Sequence, residues 1–72
     1  IRHRAASVIL AQNHPGGTNK PSQQDERLTR RLVQALGAVD ITVLDHVIVA
    51  GEGVYSFARS GMLPRYTASW DS

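Results

Sequence analysis

The sequence contains no cysteine among its 72 residues, and its aromatic side chains are limited to one tryptophan, one phenylalanine and two tyrosines. The lack of cysteine excludes disulfides and thiolate metal sites, so a metal could be held only by nitrogen and oxygen donors. No apolar run approaches the roughly 20 residues that cross a bilayer, and no secretory signal pattern follows the first residue. We therefore expect a cytoplasmic chain with no membrane partner.

The chain is short and moderately apolar, with 42% hydrophobic residues and a net charge of +2 from eight basic and six acidic side chains. This length allows one domain, and the composition is too hydrophobic for a disordered segment. The basic residues are scattered along the sequence, whereas nucleic-acid-binding domains usually concentrate them on one face. Because the chain begins with isoleucine rather than methionine, we expect it to be a fragment of a longer protein.

The predicted elements run strand, helix, strand, strand, which gives an α/β fold with a small mixed sheet of about three strands and one crossover helix. A short, partly β-branched run at 5–11 predicts a strand buried on both faces. The segments 41–50 and 54–58 predict a parallel strand after the helix and its hairpin partner. Residues 64–72 show no periodicity and predict a loose tail, with Tyr66 and Trp70 as the residues able to pack back.

The predicted helix starts after Ser22, whose spacing to Asp25 is that of a capping box, and it ends near Gly37. Apolar residues at helical spacing predict the stripe that faces the core. This stripe comprises Leu28, Leu32, Leu36 and Val39, and Val33 and Ala35 widen it.

The loop between the first strand and the helix contains an imidazole, a hydroxyl and a carboxylate, which belong to His14, Ser22 and Asp25. Strand alternation places Gln12 and His14 on the same side of the first strand. Two interpretations stay open for each of these polar residues. Ser22 and Asp25 either cap the helix or serve chemistry, and His14 either binds loop backbone or ligates a metal.

Several separate motifs, in matching order and with matching gaps, resemble the bacterial DNA repair protein RadC family. They are His14-Pro15, Ser22 with Asp25, Thr29-Arg30-Arg31-Leu32, Leu44-Asp45-His46, and Tyr55-Ser56-Phe57 with Gly61-Met62-Leu63. The family belongs to the JAB/MPN, or JAMM, metalloprotease-like group. The resemblance runs from about Arg2 to Leu63 and implies a partial JAB/MPN domain of cytidine deaminase-like fold at residues 1–63, followed by a tail at 64–72.

The resemblance also implies a zinc site in which His14 and Asp25 are ligands and Ser22 is a catalytic residue that hydrogen-bonds the oxyanion of a tetrahedral intermediate. Gln12 stands where the group has its first histidine, and the group's general-base glutamate would precede Ile1. A catalytic zinc site uses three protein ligands and an open position for water. We therefore expect zinc to be weakly bound or absent and the chain to be catalytically inactive.

Two other functions stay open, namely a zinc-dependent metallopeptidase with a weak site and a DNA-repair accessory that binds nucleic acid. Asp45 and His46 are interpreted as a polar pair that supports the loop from below. The family's early strands would pair with the strands present here, so we expect open sheet edges. Because an open edge is a template for another chain, the sequence predicts a homo-oligomer.

Overall fold

A three-stranded sheet with one helix on one of its faces makes up residues 5–68, the part of the chain that the computed structural model describes. The elements are β1 (Ala6–Asn13), α1 (Gln23–Gly37), β2 (Ile41–Ala50) and β3 (Gly53–Ser56). β2 is the central strand, with β1 parallel on one side and β3 antiparallel on the other. The predicted mixed α/β fold with a helix between two parallel strands is confirmed.

β1 is buried on one face only, which corrects the prediction of a strand covered on both faces. Val8, Leu10 and Gln12 are partly buried, whereas the intervening Ile9 is 62% exposed. This alternation is the pattern of a strand with a single covered face. Within residues 5–68 the only helix lies against the face that carries Val8, so the opposite face meets solvent.

α1 begins at the predicted capping box. The Ser22 hydroxyl accepts a hydrogen bond from the Asp25 backbone N–H at 3.1 Å, and the Asp25 carboxylate accepts one from the Ser22 backbone N–H at 2.8 Å. Both bonds satisfy N–H groups that have no partner inside a helix.

The buried line of α1 differs from the predicted leucine stripe. Asp25, Thr29 and Val33, four residues apart, face the sheet, while Leu28 is 42% and Val39 is 64% exposed. Leu32 and Leu36 are half-buried and Val33 is buried. The face toward the sheet is thus shifted to the Val33 edge of the predicted stripe. The sheet-facing positions hold polar groups because each finds a hydrogen-bond partner there.

A β-bulge at Leu44 changes which residues of β2 face the helix. Val8 pairs with Val43, but the next residue of β1, Ile9, pairs with Asp45, so Leu44 is an extra residue. Side chains alternate along a strand, and one extra residue reverses the alternation beyond it. As a result, residues 43, 46 and 48 are the buried positions of β2 rather than 43, 45 and 47.

The core beneath α1 is small and partly aromatic. Ile48 and Phe57 are fully buried, and the Phe57 ring stacks on the His46 imidazole with centroids 4.8 Å apart and planes within 10°. Tyr55 meets the edge of Phe57 at 5.5 Å. Stacked and edge-on rings contribute beyond their buried area, so this cluster fixes the imidazole from one side.

Residues 64–68 form no helix or strand, as predicted, but they lie against α1 instead of forming a loose tail. The Gln34 amide donates to Thr67 O at 2.8 Å and accepts from Thr67 N at 2.7 Å. Gly37 leaves room for the Tyr66 ring, which would collide with a Cβ at that position. The predicted contact of Tyr66 is confirmed, whereas Trp70 lies outside the described residues, as does the start of the predicted domain before Ala5. α1 is too short and too polar to span a bilayer, and it is the sole helix of residues 5–68.

Candidate functional site

The end of β1 and the first turn of α1 bring together the residues that the sequence singles out. His14 continues the ladder beyond β1, because its backbone N–H donates to Val49 O at 2.9 Å. Its Nε2 lies 3.1 Å from Oδ2 of Asp25, and the two side chains are 19% and 10% exposed. Ser22 caps the same helix turn through the bonds to Asp25 described above. The structure thus places His14, Ser22 and Asp25 in one cluster, although what they do there remains a prediction.

The Gln12 side chain lies at the centre of this cluster. Its Nε2 is 2.7 Å from Oδ1 of Asp25 and 3.3 Å from Nε2 of His14, while its Oε1 is 3.1 Å from Nε2 of His46. A carboxylate only accepts hydrogen bonds, so the amide group that faces Asp25 is the NH2. Gln12 therefore connects both candidate ligands to a buried histidine.

The protons on His46 follow from its two partners. Because Gln12 turns its carbonyl oxygen toward His46, the imidazole donates through Nε2–H. The other nitrogen, Nδ1, is 2.5 Å from the Thr29 hydroxyl, which also lies 2.8 Å from Asp25 O. A neutral imidazole with its proton on Nε2 has an acceptor at Nδ1, so Nδ1 and Asp25 O compete for the single proton of the Thr29 hydroxyl.

The environment of His46 favours that neutral form. Burial lowers the pKa of the His46 imidazole below its ordinary value of 6.5, although the charges of Asp25 and Asp45 act in the opposite direction. Removing a charged group from water costs free energy, and the nearby carboxylates only partly offset that cost. His46 is 2% exposed, so water cannot replace its protein partners.

Asp25 is held in its ionised form by the same network. Burial alone would raise the pKa of the Asp25 carboxyl, but hydrogen bonds from the Ser22 backbone and the Gln12 amide outweigh it, so the pKa lies below the ordinary 3.8. Hydrogen bonds to a carboxylate stabilise the charged form. Asp25 thus remains an anion at neutral pH, and it has donors on both oxygens.

The His14 ring is also anchored from its far side. Its Nδ1 lies 3.1 Å from Thr18 O, a carbonyl that can only accept, so the proton of the neutral ring is on Nδ1. The opposite nitrogen, Nε2, lies 3.3 Å from the Gln12 NH2 and 3.1 Å from Asp25 Oδ2, and it donates to that carboxylate only when it carries a proton as well. With its proton on Nδ1 alone, the ring would present Nε2 to a metal.

Asp45 and His46 do not act as one pair beneath the loop. The Asp45 carboxylate accepts from the backbone N–H groups of His46 at 2.7 Å and Ala58 at 2.9 Å, and from the Ser56 hydroxyl at 2.5 Å. Burial raises the pKa of Asp45, but these bonds outweigh it and the net change is downward. Asp45 therefore hydrogen-bonds the turn that follows β3, whereas the His46 ring hydrogen-bonds the side chain of Gln12.

Sequence reasoning missed three connections of the site. His46 joins it through the parallel pairing of β1 and β2, and Thr29 joins it from α1. Glu52 accepts from the Asn19 backbone N–H at 2.8 Å, which ties the loop to the β2–β3 turn. No local sequence signal marks the turn of His46 toward the helix, because that turn follows from the bulge at Leu44. Nothing local marks Glu52, because its partner is 33 residues away in the sequence.

The donor set around Gln12 does not fit a zinc ion. A catalytic zinc uses three protein ligands at about 2.0–2.2 Å, supplied by histidine, carboxylate or thiolate. Within residues 5–68 no three such residues cluster closely enough to hold a metal. His14 and Asp25 are the two suitable donors and contact each other at 3.1 Å, and the group beside both of them is an NH2, which carries hydrogen atoms and no lone pair to give.

Comparison with known protein families agrees with this picture of strand, loop and helix. A family model described as a RadC-like JAB domain matches residues 1–62. The chain belongs to the RadC-like JAB domain family. The predicted membership is thereby confirmed.

Relatives of this RadC-like JAB domain include several proteins named UPF0758. One from Thiobacillus denitrificans is 59% identical over 63 residues, which cover 88% of this chain and 28% of the relative. UPF0758 protein YeeS of Escherichia coli K12 is also 59% identical over 63 residues, covering 88% of this chain and 43% of YeeS. UPF0758 protein YfjY of the same strain is 61% identical over 59 residues, covering 82% of this chain and 37% of YfjY.

The RadC-like JAB domain spans less than half the length of each of these relatives. No solved structure matches the chain. The activity, substrates and partners of a whole protein of this family are therefore not assigned to this chain.

Proposed function

We propose that this RadC-like JAB domain does not hydrolyse peptide or isopeptide bonds as it stands. The supporting observation is the Gln12 NH2 group, which lies 2.7 Å from Asp25 and 3.3 Å from His14, the two residues that the family resemblance makes zinc ligands. The general base that the resemblance implies would precede Ile1. The proposal therefore rests on Gln12 alone.

The chemistry that the family resemblance implies depends on a cation. A bound zinc lowers the pKa of its water to about 7 and so supplies hydroxide at neutral pH. His14 and Asp25 would hold zinc if a third donor were present. With Gln12 in that third place, these two side chains bind the amide instead, and the Ser22 hydroxyl accepts the helix-capping bond from the Asp25 N–H at 3.1 Å.

The rival function is a weak zinc-dependent metallopeptidase. We expect the purified protein, given zinc and model peptide and isopeptide substrates, to show the same background rate as its Asp25→Asn variant. That variant has the shape of the native side chain but loses the charge. Metal analysis after purification is expected to find well below one zinc per chain.

The opposite result would be hydrolysis that requires zinc, stops on chelation and is lost in Asp25→Asn. Stoichiometric zinc in the purified native chain would favour the rival in the same way. Either finding would overturn the proposed lack of catalysis.

Nucleic-acid binding remains a separate prediction. The arginines at 27, 30 and 31 are exposed on α1. An exposed cationic face fits a solvated helix surface as well as one that contacts phosphates. Association with DNA that weakens steeply with added salt in a polarisation assay would support the second interpretation. The expected cytoplasmic setting stays a prediction as well.

A further inference from the structure

We infer that α1 has a docking surface for an extended chain segment, formed by Gln34 and Gly37, and that residues 65–68 of one copy of this chain dock there on a second copy. Within one copy the same residues already occupy that surface. The inference concerns how chains associate, and it is independent of whether the candidate site hydrolyses a bond.

Gln34 binds the segment through the main chain of Thr67. Its amide donates to Thr67 O at 2.8 Å and accepts from Thr67 N–H at 2.7 Å, so one side chain makes the pair of bonds that a neighbouring strand would make. Within residues 5–68, Gln34 is the source of the hydrogen bonds that the backbone of residues 65–68 makes. Such a pair of bonds does not depend on which copy supplies the main chain.

Gly37 makes the surface selective for an aromatic residue. The Tyr66 ring lies where a Cβ of residue 37 would be, so any other residue at that position would exclude the ring. Ala68, two residues further along, is 8% exposed. The surface therefore fits an aromatic residue, then a residue bound through its main chain, then a small residue. Every copy of this chain supplies that order in Tyr66, Thr67 and Ala68.

The contacts of residues 65–68 with α1 are limited, which permits exchange. Both bonds from Gln34 are at exposed positions, and Tyr66 is 40% exposed. A cavity of about 550 Å³ lies between α1, the start of β2 and residues 63–66. Groups that line a cavity have no van der Waals contacts on that side, so the segment is held less firmly than a packed core element.

The position of this segment in the chain supports a second copy as its acceptor. The family model covers residues 1–62, so residues 65–68 lie beyond the RadC-like JAB domain that it matches. Gly61, at φ 72°, and Pro64 precede the segment, and the chain forms no helix or strand between them. Exchange of an identical segment between copies needs a hinge before it, and it forms the same contacts in both arrangements.

Two variants, each defective in one half of the contact, test the inference. Thr67→Pro removes the N–H that donates to Gln34 and keeps the α1 surface intact. Gly37→Ala keeps residues 65–68 but puts a Cβ in the place of the Tyr66 ring. Neither variant forms the contact by itself, whereas in a mixture the intact segment of Gly37→Ala docks on the intact surface of Thr67→Pro.

Both variants also carry Ile9→Lys, so that the association predicted for the open edge of β1 is weakened. Sedimentation velocity of the equimolar mixture is expected to show a one-to-one complex. We expect the mixture to associate about tenfold more tightly than either variant alone, because only the mixture has an intact segment and a surface without a tethered competitor. Separate monomers in the mixture, with both variants folded by circular dichroism, would overturn the inference.

A peptide with the sequence of residues 63–68 provides a second measurement, which needs only Thr67→Pro. Tyr66→Ala, which removes the ring, replaces that variant if the proline prevents folding. Binding is expected to shift the amide NMR signals of Gln34 and Gly37, and the same peptide with proline in place of threonine is the matched control. Equal shifts from both peptides, or none from either, would overturn the inference. Specific peptide binding without association of the mixture would assign the surface to a segment of a different protein and overturn the role of a second copy.

Discussion

The two faces of the sheet differ in the polar groups that one buries and the apolar groups that the other exposes. The face under α1 buries Asp25, Thr29 and His46, each at 7% exposure or less. The opposite face exposes apolar side chains, among them Ile9 at 62% and Val49 at 42%. A small domain has little apolar surface to bury, so this arrangement is costly unless each buried polar group is bonded.

The comparison shows that hydrogen bonding specifies the face under α1 together with apolar burial. Every buried side-chain nitrogen and oxygen within residues 5–68 has a hydrogen-bond partner. The opposite face carries a smaller set of side-chain hydrogen bonds, which join Asp45, Ser56 and the turn after β3. Changes on the sheet face under α1 should therefore affect the free energy of unfolding. Changes on the opposite face, which carries Ile9 and Val49, should affect association between chains.

The largest effect is expected from removing a single hydroxyl on the helix side. Thr29→Val keeps the shape of the side chain but leaves His46 Nδ1 without a donor. We expect the free energy of unfolding to fall by about 1–3 kcal/mol, the usual cost of a buried polar atom left unpaired. Chemical denaturation followed by circular dichroism measures the change.

Thr42→Val is the control for that substitution, because Thr42 lies exposed on β2. Its expected effect is within about 0.5 kcal/mol, as is usual for surface positions. Equal losses in the two variants would mean that the hydroxyl of Thr29 has no special part in the helix-side network, and the contrast between the faces would disappear.

The next effect is a loss of stability in acid that originates on the helix side. Because the pKa of His46 is lowered on folding, the unfolded chain binds more protons below about pH 6.5, and acid favours unfolding. Its contribution is complete above pH 6.5 and declines as the pH falls toward the lowered pKa. Asp25 and Asp45 add a second decline below their ordinary 3.8, because the unfolded chain there takes up protons that the folded carboxylates resist.

Denaturation midpoints measured from pH 8 to pH 3 would reveal these two declines. In His46→Gln the decline that starts near pH 6.5 should be absent, because glutamine does not titrate. The lower decline should persist in that variant. If the upper decline has the same size in the variant, His46 is not its source.

The smallest effect on stability, and the most direct effect on assembly, concerns the unpaired edge of β1 and the exposed sheet face that carries Ile9. Within residues 5–68 β1 pairs only with β2, and its sequence has no charge or proline that would discourage another strand. We therefore keep the prediction that the chain self-associates. Ile9→Lys should weaken this association by about tenfold, since an exposed lysine opposes edge pairing.

Light scattering across a range of protein concentrations measures that association. Leu28→Lys is the matched control, because Leu28 is 42% exposed on α1 and away from the open edge. A native chain that stays monomeric at high concentration would contradict the prediction. An equal effect of both lysine variants would show that the association does not use β1.

Local features of the structure were predictable because they depend on neighbouring residues. The capping box of Ser22 and Asp25 follows from a spacing of three, and the start of α1 agrees with it. The bounds of β2 and the hairpin to β3 follow from β-branched runs separated by glycine. The contact of Gln12 with His14 follows from strand alternation.

The orientation of α1 and the role of His46 were not predictable in this way. The leucine pattern favours a helix face one residue away from the buried line through Asp25, Thr29 and Val33. The bulge at Leu44 determines that His46 turns toward the helix. Both depend on which partners are available across the sheet, and a pattern of apolar residues does not contain that information.

The sequence by itself determined the elements, their order, the family motifs and the presence of glutamine where the group has histidine. Only the tertiary structure decided what that glutamine does. Its amide has both donors and an acceptor, so its role depends on which groups surround it. Packing of α1 on β2 brings Asp25 to one end of the amide and His46 to the other, from positions far apart in the chain.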